Sequence, residues 1–281
     1  MIVPGSASQE VAAALARELD EPLAAVEYDW FADGETLVRV PDTDDRAIVV
    51  ASTVSDAAHV ELLQLQDAAR QRAEEVLTVL PYMGYGRQDD SFEPGQPVSA
   101  RAMARAISTG TDRVLTVNPH EASITEFFDV PCSAVDAAGR LAEPLPELVE
   151  PLFLSPDAGA LALAETVRDA YGRGETDYFE KVRHSDTDVE IRPSDAVTAD
   201  RDVVLVDDIV ATGSTMSTAI DQLSAPARVF VTCVHPMLAA NARTKLGTAG
   251  VERVYGTDTI ERAVSDVSAA PAIAEAIGEL S

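Results

Sequence analysis

"VVLVDDIVATGSTM", residues 203–216, is the stretch on which the reading of this 281-residue chain turns. A run of valine and leucine without polar alternation is the mark of a strand buried on both faces, and so of a parallel sheet covered by helices. The run stops at two adjacent carboxylates, Asp207 and Asp208, and the chain then bends through Ala211, Thr212, Gly213, Ser214 and Thr215 into a helical pattern. In folds of this kind ligands gather at the carboxyl ends of the strands. Paired acids there can hold sugar hydroxyls or a hydrated cation, and a turn rich in amides and hydroxyls beside them can seat an anion. A ribose 5-phosphate carries both kinds of group.

Working outward, the same alternation recurs along the whole chain. "AIVVAS" precedes a helical pattern over 57–73, "EVLTVLPYM" one over 98–108, and "RVLTVN" one over 121–128. In the second half "LFLSPD" precedes 158–171, the opening strand precedes 213–224, and "RVFVTCVHP" precedes 239–247, with "ERVYGTD" following. Apolar strands separated by helices predict an α/β architecture of mainly parallel sheets. The segment "EPLPELVEP", 143–151, holds three prolines and three glutamates and reads as a connector. The expected domains are therefore 1–145 and 146–281, each large enough to bury a core, with "SAAPAIAEAIGEL" at the end of the second as a closing amphipathic helix able to pack back on either.

Charge sets the function classes. Forty-eight acidic residues face 21 basic ones, of which only Lys181 and Lys245 are lysines, and the net charge is −27. Such self-repulsion costs stability in dilute salt and is screened in concentrated salt, which suits a halophilic cytoplasm. No basic face exists for DNA or RNA, so nucleic acid is excluded as a partner. Anionic small molecules are not, because a few arginines and backbone amides suffice for a local positive pocket. Cys132 and Cys233 stand far apart and read as small apolar residues, not as a disulfide or zinc site. No signal-like or membrane-length apolar segment is present in the sequence, so a soluble cytoplasmic protein is expected.

The opening stretch resembles the phosphoribosyl-diphosphate (PRPP) loop shared by type I phosphoribosyltransferases and PRPP synthetases: an apolar strand, two acids and a Thr-Gly turn. Ser214 stands where many members have a second glycine. Four further segments resemble the synthetase branch. They are "FADGE" with Phe31, Asp33 and Glu35; "GYGRQDDSFEPGQPVSA" with Arg87, Gln88 and Asp89; "NPHEASITEFFDVP" with His120; and "SPDAGA" with Asp157. A last segment, "YFEKVRHSD", resembles the catalytic loop with its Lys-x-Arg, here Lys181 and Arg183.

What that resemblance implies is specific. The fold would be two related phosphoribosyltransferase-like domains, and the reaction ATP plus ribose 5-phosphate giving PRPP plus AMP. Asp207, Asp208 and Ala211 to Thr215 would take the ribose 5-phosphate. Phe31, Asp33, Glu35, Arg87, Gln88 and Asp89 would seat ATP, the first three reaching a neighbouring protomer, so that at least a homodimer is implied. His120 and Asp157 would anchor Mg²⁺, and Lys181 with Arg183 would close over the transferring phosphates.

Two departures weigh against full carry-over: Asp90 falls where a basic residue is usual, and Asn118 replaces an aspartate, leaving the metal charge less compensated. A phosphoribosyltransferase using PRPP and a non-catalytic nucleotide-binding homologue remain the alternatives at this level. His59, His184 and His235 have no ligand-spaced partners in the sequence and read as ordinary residues.

Overall fold

The computed structural model describes residues 1–183, 189–192 and 196–280, with 181–183 and 189–192 known by their strand pairing. His184 lies outside the described residues. The chain forms two compact units, Met1–Ala137 with Asp258–Glu261 and Ser268–Ser281, and Ala138–Thr257 with Arg262–Val267.

In the first unit, β1 (Ile2–Pro4), α1 (Gln9–Leu19), β2 (Glu27–Trp30), β3 (Thr36–Arg39), β4 (Arg46–Val50), α2 (Asp56–Arg70), β5 (Glu75–Leu80), α3 (Ser99–Ser108), β6 (Arg113–Val117) and β7 (Cys132–Val135) follow one another. The sheet has the order β1-β4-β5-β6-β7, parallel throughout. β2 and β3 form a separate antiparallel hairpin. The helix α2 shows why such segments fold locally. Ser55 caps it by accepting the Ala58 amide, and His59, Leu62, Leu65, Gln66 and Ala69 give it one buried face at helical spacing. That face meets Val49, Val76, Leu80 and Ile107 in the core.

In the second unit, β8 (Leu152–Ser155), α4 (Leu161–Tyr171), β9 (Glu175–Tyr178), β10 (Glu180–Arg183), β11 (Val189–Arg192), β12 (Asp202–Ile209), α5 (Ser214–Ile220), β13 (Arg228–His235), α6 (Ala242–Thr248), β14 (Arg253–Thr257) and β15 (Ser265–Val267) are the elements. The order β15-β14-β13-β12-β8-β9 is again parallel throughout, and β10–β11 is an antiparallel hairpin. Val203 to Val206 are all buried in the interior strand β12, as an unalternating apolar run requires. The α/β class with mainly parallel sheets is thus observed.

Two local expectations change. The segment over 121–128 is a short 3-10 helix, Ala122–Phe127, and not an α-helix. It buries only Ile124 and has no side-chain cap, so nothing pays the cost of a full α-helical nucleus before the chain enters β7. The closing helix α7 (Ala270–Gly278), which follows the second unit in sequence, belongs to the first. Its apolar face, Ala270, Ile273 and Ile277, packs with α1.

One ion pair fixes the start of β12. Asp202 is 1% exposed and accepts two hydrogen bonds from Arg228, from Nε at 2.9 Å and Nη2 at 2.5 Å, and one from the Val149 amide at 2.6 Å. The Arg228 guanidinium first of all holds this carboxyl below its ordinary value, against the effect of burial. Asp202→Ala strands the Val149 amide and the guanidinium and is expected to cost about 2–3 kcal/mol in a denaturant melt at neutral pH. Because the folded-state value is depressed, the contribution is present above the ordinary carboxylate range and lost as pH falls below it. The gap between wild type and variant therefore closes in acid.

Candidate active site

In the second unit the acids converge at the carboxyl ends of adjacent strands. Asp207 and Asp208 are half-buried residues near the end of β12, beyond its last pairing with β8 at Leu205; Asp157 follows the end of β8. Asp157 caps the 3-10 turn Ala158–Ala160 by accepting the Gly159 amide at 3.0 Å, and the Ser155 hydroxyl donates to its carbonyl. Asp207 accepts the Asp208 amide at 3.0 Å, and Asp208 accepts the Ile209 amide at 2.8 Å. Burial, then the charge of Asp208, pushes the Asp207 carboxyl well above its ordinary value, and the charge of Asp157 adds to this. Three carboxylates therefore share one sheet end.

The turn that follows is shaped by Gly213. Its φ is +71°, and a Cβ there would meet the Ala242 carbonyl and Leu246 Cγ at 3.3 Å. Glycine thus serves twice, for the left-handed backbone and for the close seat of α6. Thr212, Ser214 and Thr215 are exposed, and Ala211 is partly buried with its carbonyl accepting the Ala239 amide at 2.8 Å. The strand β10 carrying Lys181 and Arg183 pairs with β11, Lys181 opposite Ile191 and Arg183 opposite Val189. Its root is Phe179, 1% exposed, whose amide donates to the Ser155 carbonyl, so the hairpin starts beside the β8 end that leads to Asp157.

In the first unit, Phe31, Asp33 and Glu35 lie at the exposed tip of the β2–β3 hairpin. The tip is closed by Phe31 N–H to the Glu35 carbonyl and Gly34 N–H to the Phe31 carbonyl, and Asp33 accepts the Glu35 amide. Trp30 and Phe31 are 64% and 53% exposed. Arg87, Gln88 and Asp89 sit in the loop after β5, pinned by Gly84. A Cβ at Gly84 would stand 2.2 Å from the Thr53 carbonyl, and its amide donates to Thr53 Oγ1 at 2.8 Å. Arg87 is exposed, whereas Gln88 accepts the Ser99 hydroxyl at 2.6 Å. A Cβ at Gly86 would touch Ile124 of the 3-10 helix that follows His120, so the loops after β5 and β6 pack together. His120 itself is exposed.

The two departures look different in place. Asn118 has a left-handed backbone, φ 34°, which asparagine tolerates better than most residues. Its Nδ2 donates to Asp136 at 2.7 Å, and its Oδ1 accepts the Ala137 amide at 2.8 Å. A carboxylate is thus present beside this loop, supplied by Asp136 after β7, and an aspartate at 118 would set two acids against one another. Asp90 accepts the Ser91 amide, a local turn contact. Of the residues read as ordinary, His59 and His235 are buried. Both thiols are free; Cys233 is buried and Cys132 partly so, with desolvation pushing the Cys132 thiol up to about 12.

The family model described as the N-terminal domain of ribose phosphate pyrophosphokinase matches residues 1–110, and that of the phosphoribosyl transferase domain matches 134–268. A ribose-phosphate pyrophosphokinase of Halobacterium salinarum is 66% identical over 281 residues, covering 99% of this chain and 100% of that one. The chain belongs to the ribose-phosphate pyrophosphokinase family. Another member, from Methanopyrus kandleri, is 44% identical over 95% of this chain and 94% of its own. The crystal structure of phosphoribosylpyrophosphate synthetase from Mycobacterium smegmatis superposes with a TM-score of 0.83 at 26% identity, covering 100% of this chain and 98% of that one. Both sheets are therefore phosphoribosyltransferase-type domains, and the halophilic composition agrees with the Halobacterium relative.

Among the described residues no three His, Cys, Asp or Glu side chains form a set that would hold a metal ion alone. Mg²⁺ does not ask for one, since it keeps several waters and binds through one or two carboxylates plus substrate phosphates. The mutual repulsion of Asp207, Asp208 and Asp157 fits that manner of binding. No described helix is long and apolar enough to cross a membrane.

Proposed function

We propose that this protein is a ribose-phosphate diphosphokinase, acting on ATP and ribose 5-phosphate in a high-salt cytoplasm. The observation that carries the reading is the set of three acids beside the Thr-Gly turn at one sheet end, in a chain that is 66% identical to a ribose-phosphate pyrophosphokinase along its length. The anomeric hydroxyl of the sugar attacks the β-phosphorus of ATP in line. The bond from that phosphorus to the bridging oxygen of the α-phosphate breaks, AMP leaves, and the hydroxyl proton is released. No protein nucleophile is required, so the chain works by positioning and charge stabilisation.

In this reading Asp207 and Asp208 orient the ribose hydroxyls and Ala211 to Thr215 receive the 5-phosphate. Arg87, Gln88 and Asp89 seat the nucleotide, joined by Phe31, Asp33 and Glu35 from a neighbouring protomer of a homo-oligomer. The exposed aromatic tip of the hairpin supports that last assignment, because an apolar ring in solvent gains by covering. His120 and Asp157 would hold Mg²⁺, which when bound neutralises phosphate charge. Lys181 and Arg183 oppose the charge that grows on the β- and γ-phosphates.

Incubation of the protein in concentrated salt with Mg²⁺, ATP and ribose 5-phosphate is expected to release AMP and PRPP in equal amounts, followed by chromatography. Release of ADP, or consumption of PRPP with a nucleobase in place of its formation, would overturn the assignment.

A further inference from the structure

We propose that Lys245 is a binding residue for the 5-phosphate, delivered to the Thr212–Thr215 turn by α6; the inference rests on reading that turn as the ribose 5-phosphate seat. Lys245 Nζ donates to Ser214 Oγ at 2.6 Å, and Ser214 Oγ lies 3.2 Å from Thr212 Oγ1. An ammonium and two hydroxyls are therefore gathered on one exposed bend.

The packing that brings them together is specific. Gly213 has no side chain, so Ala242 and Leu246, both fully buried, sit against it, and Lys245 of the same helix comes level with Ser214. The segment leading into α6 is fastened to the loop as well, by Leu238 N–H to the Val210 carbonyl and Ala239 N–H to the Ala211 carbonyl. Lys245 is thereby held at the turn from a point 31 residues further along the chain.

Electrostatics gives the lysine its purpose. A phosphate approaching this sheet end meets Asp157, Asp207 and Asp208 on a chain of net charge −27. Neutral hydroxyls and amides can bond its oxygens without cancelling that repulsion; a fixed cation does both. An ammonium has three donors, so with one on Ser214 two remain for phosphate oxygens. Ser214, in the place where a second glycine is common in the family, is then the residue that orients the lysine. Arginine is the usual cation of this chain, and one of only two lysines stands here.

The test measures ribose 5-phosphate binding by calorimetry without ATP, steady-state constants for both substrates, and thermal melting, all at one fixed high salt concentration. Lys245→Gln and Lys245→Met are expected to weaken ribose 5-phosphate binding and raise its KM by roughly ten-fold or more, the loss typical of a charge-assisted hydrogen bond. The KM for ATP and the melting temperature should hold, and Lys245→Arg should recover most of the affinity. Ribose 5-phosphate affinity within two-fold of wild type in Lys245→Gln overturns the proposal. So does a parallel rise of both KM values with a lowered melting temperature, which marks a merely structural role. Wild-type protein that binds ribose 5-phosphate but forms no AMP would sink the reaction assigned above, while the binding constants still decide on Lys245.

Discussion

Asp207→Asn lowers turnover by on the order of 10²- to 10³-fold, the usual loss for one preorganised charged group, and at the same time raises the melting temperature of the unliganded protein at neutral pH. The two effects have one cause. Asp207 lies near the end of an interior strand with Asp208 beside it and Asp157 close enough to be felt, and burial with these charges lifts its carboxyl well above the ordinary range. A raised folded-state value means that below the ordinary carboxylate range both folded and unfolded chains carry the proton and no penalty exists. As pH rises through the folded-state value, ionisation favours the unfolded chain and stability is lost. The amide of asparagine keeps the shape and removes the charge, so its advantage appears at neutral pH and vanishes in acid. For a chain of this size each kcal/mol of relieved repulsion shifts melting by roughly 2–4 °C.

Added Mg²⁺ should stabilise the wild type more than the variant, because the variant has lost one of the charges a cation would offset. Melting curves at pH 7 and in acid, with salt held constant, read all of this. An Asn variant that melts lower than wild type at neutral pH would show that contacts of the Asp207 carboxylate outweigh its repulsion by Asp208 and Asp157.

Lys181→Ala should reduce turnover on the order of 10³-fold, as expected for a cation facing charge that develops during phosphoryl transfer. ATP affinity should stay within a few fold, since the proposed function assigns the seating of the nucleotide mainly to residues of the first unit. Lys181 lies in β10 two residues beyond the buried anchor Phe179, which is bonded to the strand leading to Asp157. A steady-state AMP assay together with calorimetric ATP binding separates the effects. Unchanged turnover removes β10 from the mechanism, and an equal loss of turnover and ATP affinity makes Lys181 a nucleotide-binding residue instead.

Much of this site was legible one segment at a time. "VVLVDD" could be read as a buried strand ending in acids because side-chain alternation is a local property, and "ATGST" as an anion turn because backbone freedom at glycine is local too. Other features carried no such signal. Asn118 in sequence is a missing charge; in the fold it is a donor to Asp136, 18 positions away, which brings a carboxylate from the neighbouring strand end. Lys245 is only a scarce residue until α6 packs on Gly213. Asp202 looks like one more acid in an acidic chain until Arg228 closes on it.

The sequence alone determined that the chain is α/β, that its main strands are buried and parallel, that it carries the acidic excess suited to high salt, and which strand ends hold acids, since each follows from composition or short-range periodicity. The tertiary structure decided which distant residues meet: that α7 folds against α1 instead of joining the second unit, that Asp157 adds its charge to Asp207, and that Lys245 reaches Ser214. Those meetings depend on sheet register and on how closely helices approach, and a helix with one apolar face specifies only that it must be covered, not by what.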